Sequence, residues 1–473
     1  MTDSSGSESA NQRCASESAQ QYFQQAVGCL QNGELGQARS FARQAADVAD
    51  SDWSGLERLG LILLRLGELS RSFAVLLQAK RNGQLHGRGF RSLAALFHQS
   101  GQSDQARLCI EAMAQVAAIS GPSRLRSGCP RVLQLVSVRR SRFGIQKDQK
   151  TGLCSISLRG GHFSLSSVVD LSRINLFTAI FLGDNVIQIQ DMPQFDLFIN
   201  SLSCADHDAY GLEDISRFLN KYSQTPVINH PSQILLTSRS ENACRLGDLA
   251  HVVMPRMEPF VLSRCRDRVL AQLQRMRLTY PVIARVQGGH GSSNMYKAES
   301  QLNLYEWFLH YSAGCSFYVM PFVDYRWDDG LFHQFRVFFI DGKMYPSARI
   351  ISDHWEIHCD NPNRRDRYRV MHSNSSLRSL EERFLRDPLS CLGPSAMKAL
   401  DQVKSLVRLD FFGIDFALDK NCNILIFEVN AAMSKSSEDV DDFPYLKSSM
   451  QKIDSAFSDL IRSRALAPAR IRF

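Results

Sequence analysis

The sequence predicts a multidomain chain: an all-α helical repeat, then an α/β region, then an α+β region. Three observations predict this order. A glycine turn recurs every 34 residues near the front, at Gly33-Glu34-Leu35, Gly67-Glu68-Leu69 and Gly101-Gln102-Ser103. From Arg131 onward, short apolar runs alternate with amphipathic stretches. Near the end, two acid-bearing apolar runs flank a polar turn. At 473 residues the chain exceeds one ordinary domain, and about two to four are expected.

Small residues share the 34-residue period: Ala26, Gly60 and Ala94 in one column, Ala38, Ser72 and Ala106 in another. Antiparallel helices approach closely only where a small side chain faces its partner, so each column marks a helix crossing. The period resembles the tetratricopeptide repeat, with three units over 19–52, 53–86 and 87–120. Tyr22 and Phe90 fit that pattern; Leu56 does not. Residues 1–18, rich in Ser and Gln, are expected to be a disordered tail. The repeats read as a docking surface for a partner peptide or as a structural or dimerisation arm.

Composition narrows the class. Hydrophobic residues make up 44% and charged residues 22%, as in soluble globular proteins. The formal charge of +7 is spread without a dense basic block, so nucleic acid is not an expected partner. The twelve cysteines show no C-x-x-C pair and no histidine clustering, which suits reduced thiols and a cytoplasmic location. No run of 18 apolar residues exists, so no membrane span is expected.

Residues 121–130, with Gly121-Pro122 and Gly128-Cys129-Pro130, read as a linker. Strands are expected at 131–138, 175–182 and 196–201, with an amphipathic helix over 212–222. Pro226-Val227-Ile228-Asn229 then leads to Thr237-Ser238-Arg239 and a helix start. This alternation argues for a parallel sheet.

The most informative stretch is 412–430. Phe412-Gly413-Ile414-Asp415-Phe416 and Ile426-Phe427-Glu428-Val429-Asn430 read as a strand pair, with Lys420-Asn421-Cys422-Asn423 as its turn. Alternate residues share a strand face, so Glu428 and Asn430 point one way, and Asp415 can oppose them. Two carboxylates and an amide oxygen make a hard-oxygen site suited to Mg²⁺. Upstream, Tyr280-Pro281-Val282-Ile283-Ala284-Arg285 is an apolar strand ending in a base. It precedes Gly288-Gly289-His290-Gly291-Ser292, a loop able to line an anion with backbone N–H groups or to serve as a flexible turn. His333–Ile340 and Met344–Arg349 form a hairpin about Asp341-Gly342, carrying Arg336 and Arg349. These two face a reaction centre together or make strand-face salt bridges. The basic stretch 352–369, with His354, Trp355, His358, Arg364, Arg365, Arg367 and Arg369, reads as a solvated loop or a substrate contact.

The thirteen-position spacing from Asp415 to Glu428, with Asn430 two later, resembles the metal-binding end of the ATP-grasp superfamily. That superfamily includes glutathione synthetase, D-alanine–D-alanine ligase and the ribosomal-protein glutamyl ligases. The resemblance implies a pre-ATP-grasp α/β domain over 131–260 and an α+β ATP-grasp domain over 261–473. It implies that Asp415, Glu428 and Asn430 hold two Mg²⁺ ions over ATP. It further implies that Arg239, Arg285 and the glycine loop cradle the phosphates, although the family usually has Lys where Arg285 stands. Met320, Pro321, Phe322 and Val323 would line the adenine and Asp324 would meet the ribose, or 316–324 is a plain core strand. Arg239 equally suits a surface contact at a helix start. Arg336, with Arg349, would stabilise an acyl phosphate on the way to an amide. The implied activity is an ADP-forming carbon–nitrogen ligase acting on a carboxylate and an amine, one of them a peptide or protein docked by the repeats. The alternatives are a phosphotransferase on the same fold, or a nucleotide-binding scaffold with a partner-binding repeat domain.

Overall fold

The computed structural model describes residues 5–466 apart from 117–118, 123, 149–150, 164, 166–167, 184–193, 223, 289–293, 358–366, 432, 434 and 436–438. The chain folds as two compact units. One comprises Met1–Ser120, Arg140–Gly160 and Ala179–Ile187, the other Gly121–Arg139, Gly161–Thr178 and Gln188–Phe473.

In the first unit the helices Ser5–Gln31, Leu35–Val48, Leu56–Arg65, Leu69–Arg81, Gly87–Gln99 and Ser103–Val116 form three successive hairpins. Gly33, Gly67 and Gly101 close them with φ of +80°, +83° and +76°, a left-handed conformation that costs other residues. The small columns lie where helices touch. Ala26, Ala38, Ala94 and Ala106 are fully buried. A Cβ on Gly60 would stand 2.6 Å from Leu76 Cγ, and the Ser72 hydroxyl donates to Gly60 O at 2.7 Å. Between hairpins, Glu57 Oε1 accepts from the N–H groups of His86 (3.0 Å) and Gly89 (2.9 Å), capping the fifth helix from outside.

Two expectations fail here. The first helix starts at Ser5, so the 1–18 tail expectation misses a helical segment whose Ala, Gln and Glu residues favour helix. The strand pair Arg142–Lys147 and Cys154–Arg159 belongs to this unit rather than to a domain spanning 131–260. Its turn sits on the repeat: Gly152 O lies 3.7 Å from the Cβ position of Gly67.

The second unit holds the sheets that build the site. Arg131–Ser137, Leu197–Asn200 and Val227–Ile228 run parallel, with Val132 opposite Leu197 and Phe198 opposite Val227. The helix Ala205–Leu219 follows the second of these strands, seven residues upstream of the expected start. A four-stranded antiparallel sheet is ordered Met295–Ala298, Val282–Val286, Ser316–Pro321, Glu258–Val261. A five-stranded sheet is ordered Lys343–Ser352, Phe332–Ile340, Phe411–Leu418, Ile424–Asn430, Val252–Val253. Strands from 252–261 complete both, so the 260/261 boundary cuts through sheet residues and the α/β portion ends earlier.

One face of the five-stranded sheet packs Phe338, Ile340 and Phe411 against Met450, Ile453 and Phe457 of the helix Leu446–Leu466. Asn229 fastens the parallel sheet to that core. Its side chain donates to Phe411 O (2.7 Å) and accepts from Phe411 N (3.1 Å), imitating a neighbouring strand. Its own φ of +55° is one that Asn tolerates well.

Candidate active site

Two β-bulges decide which side chains meet. Counting back from the turn, Leu418 opposes Ile424 and Phe416 opposes Ile426, a register that would set Phe427 against Asp415. A bulge between Asp415 and Phe416 slips it by one, so Asp415 opposes Glu428 and Gly413 opposes Asn430. Directly opposed residues share a face, so both carboxylates and the amide gather on one side. Asn430 Nδ2 lies 3.4 Å from Glu428 Oε1. The expected trio is brought together.

Arg336 joins it from the adjacent strand, directly opposite Asp415. Its guanidinium forks the carboxylate, Nε to Oδ1 at 2.7 Å and Nη2 to Oδ2 at 2.8 Å. Arg349 does not join it, and this corrects the expectation of a paired role. The two-residue turn at Asp341-Gly342 would, unbroken, set Arg349 opposite Gln334 on the Arg336 face. The register instead shifts between Arg336 and Val337, and Arg349 opposes Phe335 on the other face. There it is 2% exposed, stacked 4.8 Å from Trp327 and 5.2 Å from Phe335, and donating to His333 Nδ1 at 2.9 Å. Burial pushes its pKa down to about 10.

Arg239 begins the helix Arg239–Leu246, capped by the Ser238 hydroxyl. Its Nη2 donates to Glu428 Oε1 at 2.6 Å, from a side chain 7% exposed. Arg285 is the penultimate residue of the strand Val282–Val286 and is 9% exposed. Burial, then repulsion from Arg239, pushes its pKa down to about 10, while Glu428 and Asp206 pull the other way. It remains charged at neutral pH. Arg239 thus reaches the acid pair directly, and Arg285 lies within the electrostatic influence of Glu428. Gly288 has φ of +73°, while Gly289, His290, Gly291 and Ser292 lie outside the described residues.

The expected adenine strand ends at Pro321, with Met320 opposite Ile283 and Pro321 opposite Val282. Phe322 N donates to Pro281 O at 3.0 Å, and Lys297 Nζ sits 4.2 Å over the Phe322 ring. Phe322, Val323, Trp355 and Phe427 pack around Tyr325 and Phe332 in one apolar cluster. Asp324 is held by Arg326 at 2.6 Å, and that guanidinium lowers its pKa.

The basic stretch is solvated only in part where it is described: His354 and Arg369 are exposed, whereas Arg367 is not. Arg367 is 2% exposed and pairs with Glu381 (2.8 Å) and Asp439. Arg369 pairs with Asp353. His358, Arg364 and Arg365 fall outside the described residues.

Sequence reasoning missed Asp206. It lies just past the C-terminal end of the parallel strand Leu197–Asn200, where open α/β sheets place ligand-contacting residues. Its Oδ2 accepts from Arg239 N at 3.0 Å, and its Oδ1 accepts from the Tyr318 hydroxyl at 2.8 Å. Burial and the Asp206 charge push Tyr318 up to about 12. The signal available was an acid at a helix start, Cys204-Ala205-Asp206, six positions after the strand ends at Asn200.

Among the described residues no three His, Cys, Asp or Glu side chains form a metal cluster, and no helix is long and apolar enough to cross a membrane. The metal-ligating candidates are thus two carboxylates and one amide.

No family model matches the chain, and no curated protein does. Solved structures that it overlaps include a D-alanine–D-alanine ligase from Bacillus anthracis, at 12% identity over 71% of this chain and 99% of that one, TM-score 0.38. A RimK domain ATP-grasp protein from Sphaerobacter thermophilus overlaps at 11% identity over 61% and 90%, TM-score 0.37. An N5-carboxyaminoimidazole ribonucleotide synthetase from Thermotoga maritima overlaps at 10% identity over 72% and 77%, TM-score 0.37. Likeness at these scores carries no weight for the chemistry.

Proposed function

We propose that this chain is an ATP-dependent carboxylate–amine ligase of the ATP-grasp kind, forming an amide through an acyl phosphate. One observation carries the proposal. Asp415 and Glu428 oppose each other across paired strands beside Asn430, and Arg336, Arg239 and Arg285 are buried around them. So many charges are seldom assembled under cover unless a multiply charged ligand completes them.

The donor set fits Mg²⁺, which takes few protein oxygens and draws the rest from phosphate and water. Asp415, Glu428 and Asn430 would hold it, and it would neutralise phosphate charge. Each carboxylate now leans on a guanidinium, Arg336 or Arg239, and a triphosphate would offer those guanidiniums new acceptors. Arg239 and Arg285 would bind the nucleotide phosphates, with the glycine loop beside them. The apolar cluster at Phe322, Val323 and Phe427 would cover the base. Arg336 would stabilise charge on the transferring phosphoryl group and on the tetrahedral adduct formed when the amine attacks. Phosphate leaves as the amide forms, and no protein nucleophile is required.

The helical hairpins are read as a docking surface for a peptide or protein substrate. Deleting 1–120 is a poor test, because the strand pair 142–159 packs in the same unit. Ligase activity is tested by screening carboxylate–amine pairs for ADP release, with ¹⁸O-labelled carboxylate and mass analysis of the product. An amide product with one ¹⁸O in the released phosphate is expected. A stable phosphorylated product without amide would replace the ligase by a phosphotransferase.

A further inference from the structure

We propose that Asp206 is a positioning residue: a buried latch that ties the four-stranded sheet to the helix bearing Arg239 and so fixes both phosphate-facing guanidiniums. The proposal rests on the nucleotide-binding reading above. Three segments far apart in sequence meet on this one carboxylate, whose side chain is 5% exposed. Its Oδ2 receives the N–H of Arg239, the first residue of its helix, at 3.0 Å, with Arg239 Nη1 at 3.8 Å. A carboxylate at that end of a helix is also favoured by the exposed N–H groups there. Its Oδ1 receives the Tyr318 hydroxyl at 2.8 Å.

Tyr318 carries the connection to Arg285. The two are directly opposed in the sheet and therefore share a face. The Tyr318 hydroxyl also accepts from Gln287 Nε2 at 3.0 Å, two residues beyond Arg285, while Gln287 N donates to Ser316 O at 2.8 Å. Gly288 opens the glycine loop against the same turn, since a Cβ there would stand 3.4 Å from Asp206 O. Asp206 thus grips the helix that presents Arg239 and, through Tyr318 and Gln287, the strand end that presents Arg285. Lys or Arg placed on two separate elements holds a phosphate only if those elements keep a fixed separation. This carboxylate sets that separation.

The test uses the full chain as wild type, Tyr318→Phe, Asp206→Asn and the double variant. Magnesium-ATP affinity is measured by calorimetry, and amide hydrogen exchange is followed over 282–288. Each single variant is expected to weaken ATP about five- to tenfold, the worth of one buried hydrogen bond, while the double variant falls no further than the weaker single. Exchange over 282–288 should quicken in Tyr318→Phe by more than any fall in global stability accounts for, measured against the slowest-exchanging amides of the same chain. Additive losses, or unaltered affinity together with unaltered exchange, would overturn the latch. Should the wild type bind no ATP, the nucleotide reading fails, and the exchange arm alone decides whether Asp206 restrains the sheet.

Discussion

Replacing Arg336 by Met should cost this chain stability as well as any activity, and the size of the loss follows from its surroundings. The guanidinium and the Asp415 carboxylate are each 9% exposed and share two hydrogen bonds of 2.7 and 2.8 Å. Met keeps the length of the side chain and removes its charge, so the sheet stays packed while Asp415 loses its fork. Breaking one partner of a buried pair costs about 3–5 kcal/mol, because the other charge stays in place without solvation. For a unit of this size that corresponds to a thermal midpoint lower by roughly 4–8 °C. Adding Asp415→Leu to Arg336→Met removes the stranded charge and should recover at least about 2 kcal/mol of the loss. Differential scanning calorimetry on wild type, both singles and the double reads this directly. Losses under about 1 kcal/mol that simply add would refute the argument, since the pair would then behave as a solvated surface contact.

Further outcomes follow from the same geometry. Asn229→Ala removes both bonds to Phe411 and should lower stability by roughly 2–4 kcal/mol, measured by chemical denaturation of the same unit. Gly413→Ala places a Cβ 2.4 Å from Met433 Sδ and 2.8 Å from Met433 Cβ, an overpacking of about 1–3 kcal/mol that Met433→Ala should partly relieve in calorimetric melts. Burial, then the nearby Arg349 charge, pushes His333 down to about 4. Its folded pKa lies below the unfolded value near 6.5, so its contribution is complete above pH 6.5 and falls as pH drops toward 4. The loss reaches roughly 3 kcal/mol in melts across that window, and His333→Gln should flatten the slope.

The acid pair was legible because strand periodicity forces Glu428 and Asn430 onto one face, and because an acid thirteen positions upstream fell within reach of them. The helical hairpins were legible because close helix crossings demand small residues, which left Ala, Gly and Ser in register at 34 residues. Where an expected facing failed, the physical root was register. An extra residue in either strand reverses every side chain beyond it. The bulge near Pro346, a residue that cannot donate to the ladder, carried Arg349 to the far face, while a second bulge at Phe427 delivered Glu428 to Asp415. Neither leaves a mark in hydrophobic alternation. Asp206 escaped for a different reason: it sits in the first turn of the helix Ala205–Leu219, and its partners, Arg239 and Tyr318, are 33 and 112 positions away. The buried Arg367 looked like part of a solvated charge run because its partners, Glu381 and Asp439, come from other elements.

Asp415 and Glu428 face one another across paired strands, and their proposed role is to receive a metal-bound nucleotide. Calorimetric titration of ATP into the full chain, with and without magnesium, tests it most directly, alongside Glu428→Gln. Saturable binding that needs magnesium and is lost in the variant is the predicted result. Binding that ignores the metal, or survives the substitution intact, would contradict it.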